Sequence, residues 1–130
     1  MSYKNLEIWT LSKELVIEIK TTFQLPKFEQ FEEAQLIRRS MKSVKSNPVE
    51  GYGRRRYKQE FIRFLIFSIS SLYETPDHLE TLFDTGSLND KFIFEDLSKK
   101  IIMLRKKFIR FLKVVELHHN DKQISSKSTK

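Results

Sequence analysis

Apolar residues recur at spacings of three and four from the start of the chain. Ile8, Leu11, Leu15, Ile19 and Phe23 fall on one face of a helix predicted from about Leu6 to Phe23. Leu25-Pro26 ends it, because the residue before a proline is driven out of the helical region. A second helix is predicted from near Glu29, with Leu36, Ile37, Met41 and Val44 on its apolar face and an end around Asn47 to Glu50. Glu50-Gly51-Tyr52-Gly53 then reads as a tight reversal in which two glycines take positive φ. The third helix, from about Arg55 to Phe83, carries Phe61-Ile62-Arg63-Phe64-Leu65-Ile66-Phe67-Ser68-Ile69, which is apolar nearly all the way round. One core covers only one face of such a helix. Pro76 removes a backbone donor inside it, so a kink or short break is expected there. Asp84-Thr85-Gly86-Ser87 is the last turn. A fourth helix from about Leu88 to Leu117 turns Leu97, Ile101, Leu104, Phe108, Phe111 and Val115 inward.

No segment alternates with a period of two, and the loops are short. The pattern therefore predicts an all-α fold, an antiparallel up-down-up-down four-helix bundle. The chain's 130 residues suit one such domain, expected over residues 1–118. Residues 119–130, with Lys122, Lys127 and Lys130 among serines, read as a short, basic, disordered tail. The surplus apolar surface of the third helix, at Phe61, Phe64, Ile66 and Phe67, is expected to be an interface with further copies of the chain.

Composition narrows the chemistry. The chain has no cysteine, which removes disulfides and thiolate metal sites. The residues from Met1 to Trp9 lack the apolar core of a secretory signal, and the apolar stretch Phe64 to Ile69 is far short of the ~20 residues of a membrane span. A cytoplasmic protein with no membrane partner is expected. Twenty-four Lys and Arg against seventeen Asp and Glu leave a net charge of +7, which attracts polyanions over distance.

The segment Arg38-Arg39-Ser40-Met41-Lys42-Ser43-Val44-Lys45-Ser46-Asn47-Pro48-Val49-Glu50-Gly51-Tyr52-Gly53-Arg54 contains a paired arginine, then Ser and Asn, then Glu-Gly, one arbitrary residue and Gly-Arg. It resembles the signature of the 23S rRNA intervening-sequence proteins. Leu6-Glu7-Ile8-Trp9, Leu25-Pro26, Lys58 to Leu65, Ser71-Leu72-Tyr73-Glu74 and Gly86-Ser87-Leu88 match other stretches of that family, so the resemblance runs from about Tyr3 to Leu117. Four positions depart from the pattern: Pro48 stands for an aliphatic residue, Ser40 for a small apolar one and Ser70 for a glycine, and Pro76 is added. The resemblance implies a four-helix bundle that forms pentamers in its best-described relatives, and it implies no reaction. A related branch, the accessory proteins of diversity-generating retroelements, builds a basic pentameric barrel that binds a reverse transcriptase and nucleic acid. The partners implied are the chain itself and RNA, DNA or a nucleic-acid enzyme.

The basic residues have a reading of their own. Arg54, Arg55, Arg56 and Lys58 are expected at the start of the third helix, where free N–H groups favour an anion. Arg38, Arg39, Lys42 and Lys45 are expected to converge on the same end from the second helix. Together they form either a phosphate-contacting patch or a solvated, partly ion-paired helix end. Lys99, Lys106, Arg110 and Lys113 make a second stripe at helical period, which is either a backbone track or an ordinary polar face. Glu50 is expected to clamp the turn with Gly51 and Gly53, since no second acid, nucleophile or ligand accompanies it. His118, His119 and Asp121 do not make a metal site, because adjacent histidines on a helix point apart. No cofactor and no enzymatic activity are expected. Two functions compete: an oligomeric interaction protein that binds nucleic acid weakly, and a purely structural or protein-binding bundle whose charge serves solubility.

Overall fold

In a computed structural model of the chain, which describes residues 2–29 and 31–118, a 3-10 turn over Tyr3–Asn5 leads into α1, Glu7–Phe23. A single helical turn, α2, covers Pro26–Glu29, and the long helices α3 (Glu32–Gly53), α4 (Lys58–Asp84) and α5 (Lys91–Leu117) follow. The predicted tail, with His119 and Asp121, lies outside the described residues.

The four long helices pack α1 on α3, α3 on α4, α4 on α5 and α5 back on α1, with α3 against α4 the most extensive contact. This is the expected four-helix bundle. Every inward residue predicted for α5 is buried: Leu97, Ile101, Leu104, Phe108, Phe111 and Val115. Phe23, Phe61 and Phe108 are the largest fully buried side chains. Burying a side chain of this kind contributes on the order of 1.5–3 kcal/mol.

The helices differ from expectation in several places. α3 does not stop near Glu50 but continues to Gly53, and the reversal lies at Arg54 to Tyr57. Gly51 and Gly53 are helical, and among the described residues Gly86 alone has positive φ, +79°. Gly51 is small for another reason. A Cβ there would lie 3.0 Å from Phe61 Cδ1 and 3.0 Å from Phe64 Cβ, so its lack of a side chain is what lets α3 approach α4. The third correction is at Pro76, where α4 runs on without a break. At the other end of the last turn, α5 begins at Lys91 rather than Leu88 because Asp90 caps it, its carboxylate accepting from the Ile93 N–H at 3.2 Å.

Hydroxyls line the α3–α4 seam. Ser40 and Thr75 share a hydrogen bond of 2.8 Å, Ser71 donates to Ser43 at 3.0 Å, and Asn47 donates to the Ser43 hydroxyl at 3.0 Å. Another bond explains how Pro48 is accommodated inside α3. A proline cannot donate to the carbonyl four residues earlier, here that of Val44. Ser68 Oγ, from α4, donates to this Val44 oxygen at 3.0 Å and supplies the missing donor. Ser68→Ala should therefore cost about 1–2 kcal/mol in denaturant unfolding, followed by the fluorescence of the single tryptophan, Trp9. The same change should cost much less in a Pro48→Ala background, where a backbone N–H returns. Equal costs in the two backgrounds would show that the carbonyl does not need Ser68.

Candidate functional site

The basic residues of the signature segment do not converge. With α3 extended to Gly53, Arg38 stands fifteen residues before its end, about 22 Å along the axis. Arg38 and Arg39 lie toward the α1–α3 connection and Lys42 at the middle of α3, while Arg54, Arg55, Arg56 and Lys58 lie at the opposite end, beside the C-terminus of α5. The expectation of one contiguous patch fails because the helix itself separates the two groups: Arg38 would stand about 18 Å from the end of α3 even if the helix stopped at Glu50.

Several of these cations are already engaged. The Arg38 guanidinium donates to the Phe23 carbonyl at 2.6 Å, closing the exposed end of α1. Arg55 donates to the Tyr52 carbonyl at 2.9 Å and stacks on the Tyr52 ring at 4.0 Å. Lys58 donates to the Glu116 carbonyl at 2.6 Å, tying the turn to the end of α5. Arg54 reaches Glu60 at 3.4 Å and Glu50 at 3.9 Å, in exposed pairs of small energetic weight. Arg39, Lys42 and Arg56 are exposed and pair with no described residue. Arg54, Arg55 and Arg56 occupy the turn before α4, not its first turn as expected, since α4 starts at Lys58.

The predicted interface residues also separate. Phe61 is wholly buried in the bundle's own core, packed edge-on against Tyr52 and Phe111, and offers no surface to a second copy. Phe64 is half-buried, under the guanidinium groups of Arg54 and Arg63. Ile66 and Phe67 are outward, with 46% and 40% of their surface exposed. Tyr73, two turns further along α4 and not singled out by the sequence pattern, extends this face with Arg105 of α5 over its ring at 4.3 Å. Its place was hidden by reading the helix as apolar all round instead of asking which apolar residues the core leaves out.

A shallow groove of about 280 Å³ between α1 and α5 has an apolar floor of Leu11, Leu15, Met103 and Leu104. Lys100–Glu18 (2.8 Å) and Lys107–Glu7 (2.6 Å) bridge its rim. Hydrogen bonding to Glu18 and then to Asp96 raises the Lys100 pKa above its ordinary 10.5. That cross-tie is therefore present at neutral pH and is lost only as pH rises through the raised value. Among the described residues no three His, Asp or Glu are grouped to hold a metal, and no helix is long and apolar enough to cross a membrane.

Comparison with known proteins places this architecture. No curated protein matches the chain. The crystal structure of a protein of unknown function from the S23 ribosomal protein family of Bacteroides thetaiotaomicron VPI-5482 superposes with a TM-score of 0.74 at 20% identity, covering 82% of this chain and 95% of that one. At that identity the likeness speaks for the fold. The sequence pattern of the 23S rRNA-intervening sequence proteins matches residues 4–111, which takes in α1, α3 and α4, α5 as far as Phe111, and the signature at Arg38 to Arg54. The chain belongs to the 23S rRNA-intervening sequence protein family.

Proposed function

We propose that the chain is a non-enzymatic interaction protein that assembles as a homo-oligomer, a pentamer, and binds RNA or DNA weakly through phosphate contacts. The observation that carries this reading is positive charge left unneutralised at the surface. The chain is +7 overall, and Arg39, Lys42 and Arg56 project from it with no acidic partner among the described residues. Such residues contact phosphates without reading sequence.

Assembly is supported by the outward Ile66, Phe67 and Tyr73, and it matters for affinity. One subunit offers only a few phosphate contacts at each end. Several copies in one particle engage one polyanion together, and effective concentration then raises affinity by ~100-fold or more when the geometry allows. The accessory proteins of diversity-generating retroelements, a branch related to the family that the chain resembles, point the same way, toward nucleic acid or an enzyme that acts on it. The competing structural reading draws on Arg38, Arg55 and Lys58, whose hydrogen bonds go to backbone carbonyls.

The test is fluorescence polarisation of labelled RNA and duplex DNA. Binding is expected at about 50 mM salt, with a steep loss by about 200 mM, since each phosphate contact releases counterions. Absence of binding at the lower salt would leave the structural bundle in its place.

A further inference from the structure

The net charge is not spread evenly over the helices. α4 and α5 each have 27 residues, yet α4 carries two Lys or Arg against five Asp or Glu, and α5 carries eight against three. On α5, Lys91 pairs with Glu95, Lys100 with Asp96 and Glu18, and Lys107 with Glu7, while Arg105 lies over Tyr73. The four that remain are Lys99, Lys106, Arg110 and Lys113. All four are exposed, and none has a hydrogen bond or ion pair with a described residue.

At 100° per residue these four fall within a band about 60° wide. Ile101, Leu104, Phe108, Phe111 and Val115 occupy the opposite side of the helix and are buried, so the band faces directly away from the core. It forms a straight line about 21 Å long from Lys99 to Lys113. Two ordinary explanations for such a line fail. The helix macrodipole favours cations in the last turn, and α5 has no basic residue there. Solubility asks for a polar face, and α4 meets that need with mixed charge.

We infer that this face of α5 is a track for the phosphate backbone of a nucleic-acid duplex. The inference rests on the nucleic-acid reading above and names the surface that carries it. Charge complementarity selects the occupant: duplex DNA presents one negative charge per ~1.7 Å of its axis, and a rigid line of four cations at one height matches a rigid polyanion. Between Lys99 and Lys113 the exposed apolar residues are Ile102 and Met103, which flank the line, and no aromatic ring is interleaved with the four cations to stack on unpaired bases, the exposed Phe92 lying beyond Lys99. The basic turn lies near the C-terminal end of the line. Lys58 holds the Glu116 carbonyl three residues beyond Lys113, which brings Arg56 to the same end of the bundle.

The experiment compares the full chain with the variant Lys99→Ser, Lys106→Ser, Arg110→Ser, Lys113→Ser, and with the charge-keeping variant Lys99→Arg, Lys106→Arg, Arg110→Lys, Lys113→Arg. Polarisation is read on duplex RNA, duplex DNA and a single strand of equal length, with circular dichroism as the check on folding. Each cation that neutralises one phosphate adds about 0.9 to the slope of log affinity against log salt, so the serine variant should be shallower by about 3 to 4 units. Between about 50 mM and about 200 mM salt the unmodified protein should lose about 100-fold more affinity than that variant, and the charge-keeping variant should match the unmodified protein. Duplex binding by the unmodified chain with an unchanged slope in the serine variant would overturn the α5 track and leave the general reading standing. Tighter binding to the single strand than to either duplex would also overturn it. No duplex binding with binding of the single strand would overturn the α5 track alone, and no binding of any of the three nucleic acids by the unmodified chain would overturn both readings.

Discussion

Gly51→Val should destabilise the protein by about 3 kcal/mol, whereas Gly53→Ala, two residues later in the same motif, should be neutral or slightly stabilising. Both glycines are helical, so the expected difference comes from space and not from φ. At Gly51 even the first side-chain carbon would meet Phe61 Cδ1 and Phe64 Cβ at 3.0 Å, and the Phe61 carbonyl at 3.4 Å. Phe61 is fully buried between Tyr52 and Phe111 and cannot swing away. Relief requires α3 and α4 to move apart along the hydroxyl seam, and overpacking of this sort costs about 1–3 kcal/mol, more when the neighbours are fixed. A Cβ at Gly53 meets nothing within 4 Å, and alanine there recovers up to ~1 kcal/mol of helix propensity. Denaturant unfolding of both variants decides the matter. Similar losses at the two positions would show that backbone freedom, not close approach, selects these glycines.

Ile66→Glu should convert the proposed oligomer into single chains of 15.6 kDa while leaving its helix content unchanged. Ile66 lies on the outward face of α4 with Phe67 and Tyr73, and a buried carboxylate with no partner is costly to desolvate, so a subunit contact through this face cannot tolerate it. Within one subunit the same glutamate stands in water and disturbs nothing. Phe61→Glu is the informative contrast. It places a charge in the bundle core and should unfold the chain, because Phe61 serves the fold and not the interface. Light scattering and circular dichroism on the two variants separate the roles. Monomers from the unmodified chain at micromolar concentration would remove the assembly claim.

These outcomes mark where the sequence was legible. α1 and α5 were read well because each has one apolar stripe, and the period alone tells which residues of Leu97 to Val115 turn inward. α3 was read short because a glycine pair has two physical meanings, positive φ and close approach, which look alike in a sequence. The partner that distinguishes them, Phe61, is ten residues away on another helix. Pro48 stood out in the sequence only as a departure from the family's pattern, and what accommodates it, the Ser68 hydroxyl on the Val44 carbonyl, is a contact between helices that no local pattern shows. The candidate site was misread on distance. Eight basic residues were grouped as if the end of α3 gathered them, yet Arg38 lies about 18 Å along the axis from even Glu50, so the length of the helix itself keeps Arg38 and Arg39 away from the turn. The α5 stripe was visible as a period. That it lacks acidic partners depends on Glu7 and Glu18 of α1 taking Lys107 and Lys100 instead, which only the packing decides.

The central claim, that several copies of this basic bundle act together on nucleic acid, is tested most directly by sedimentation velocity of the unmodified protein with a short labelled duplex at low and high salt. The label should sediment with a particle several times the mass of one chain at about 50 mM salt and return to the rate of free duplex by about 200 mM. Label that stays free at both salts, with protein sedimenting as a 15.6 kDa monomer, would contradict it.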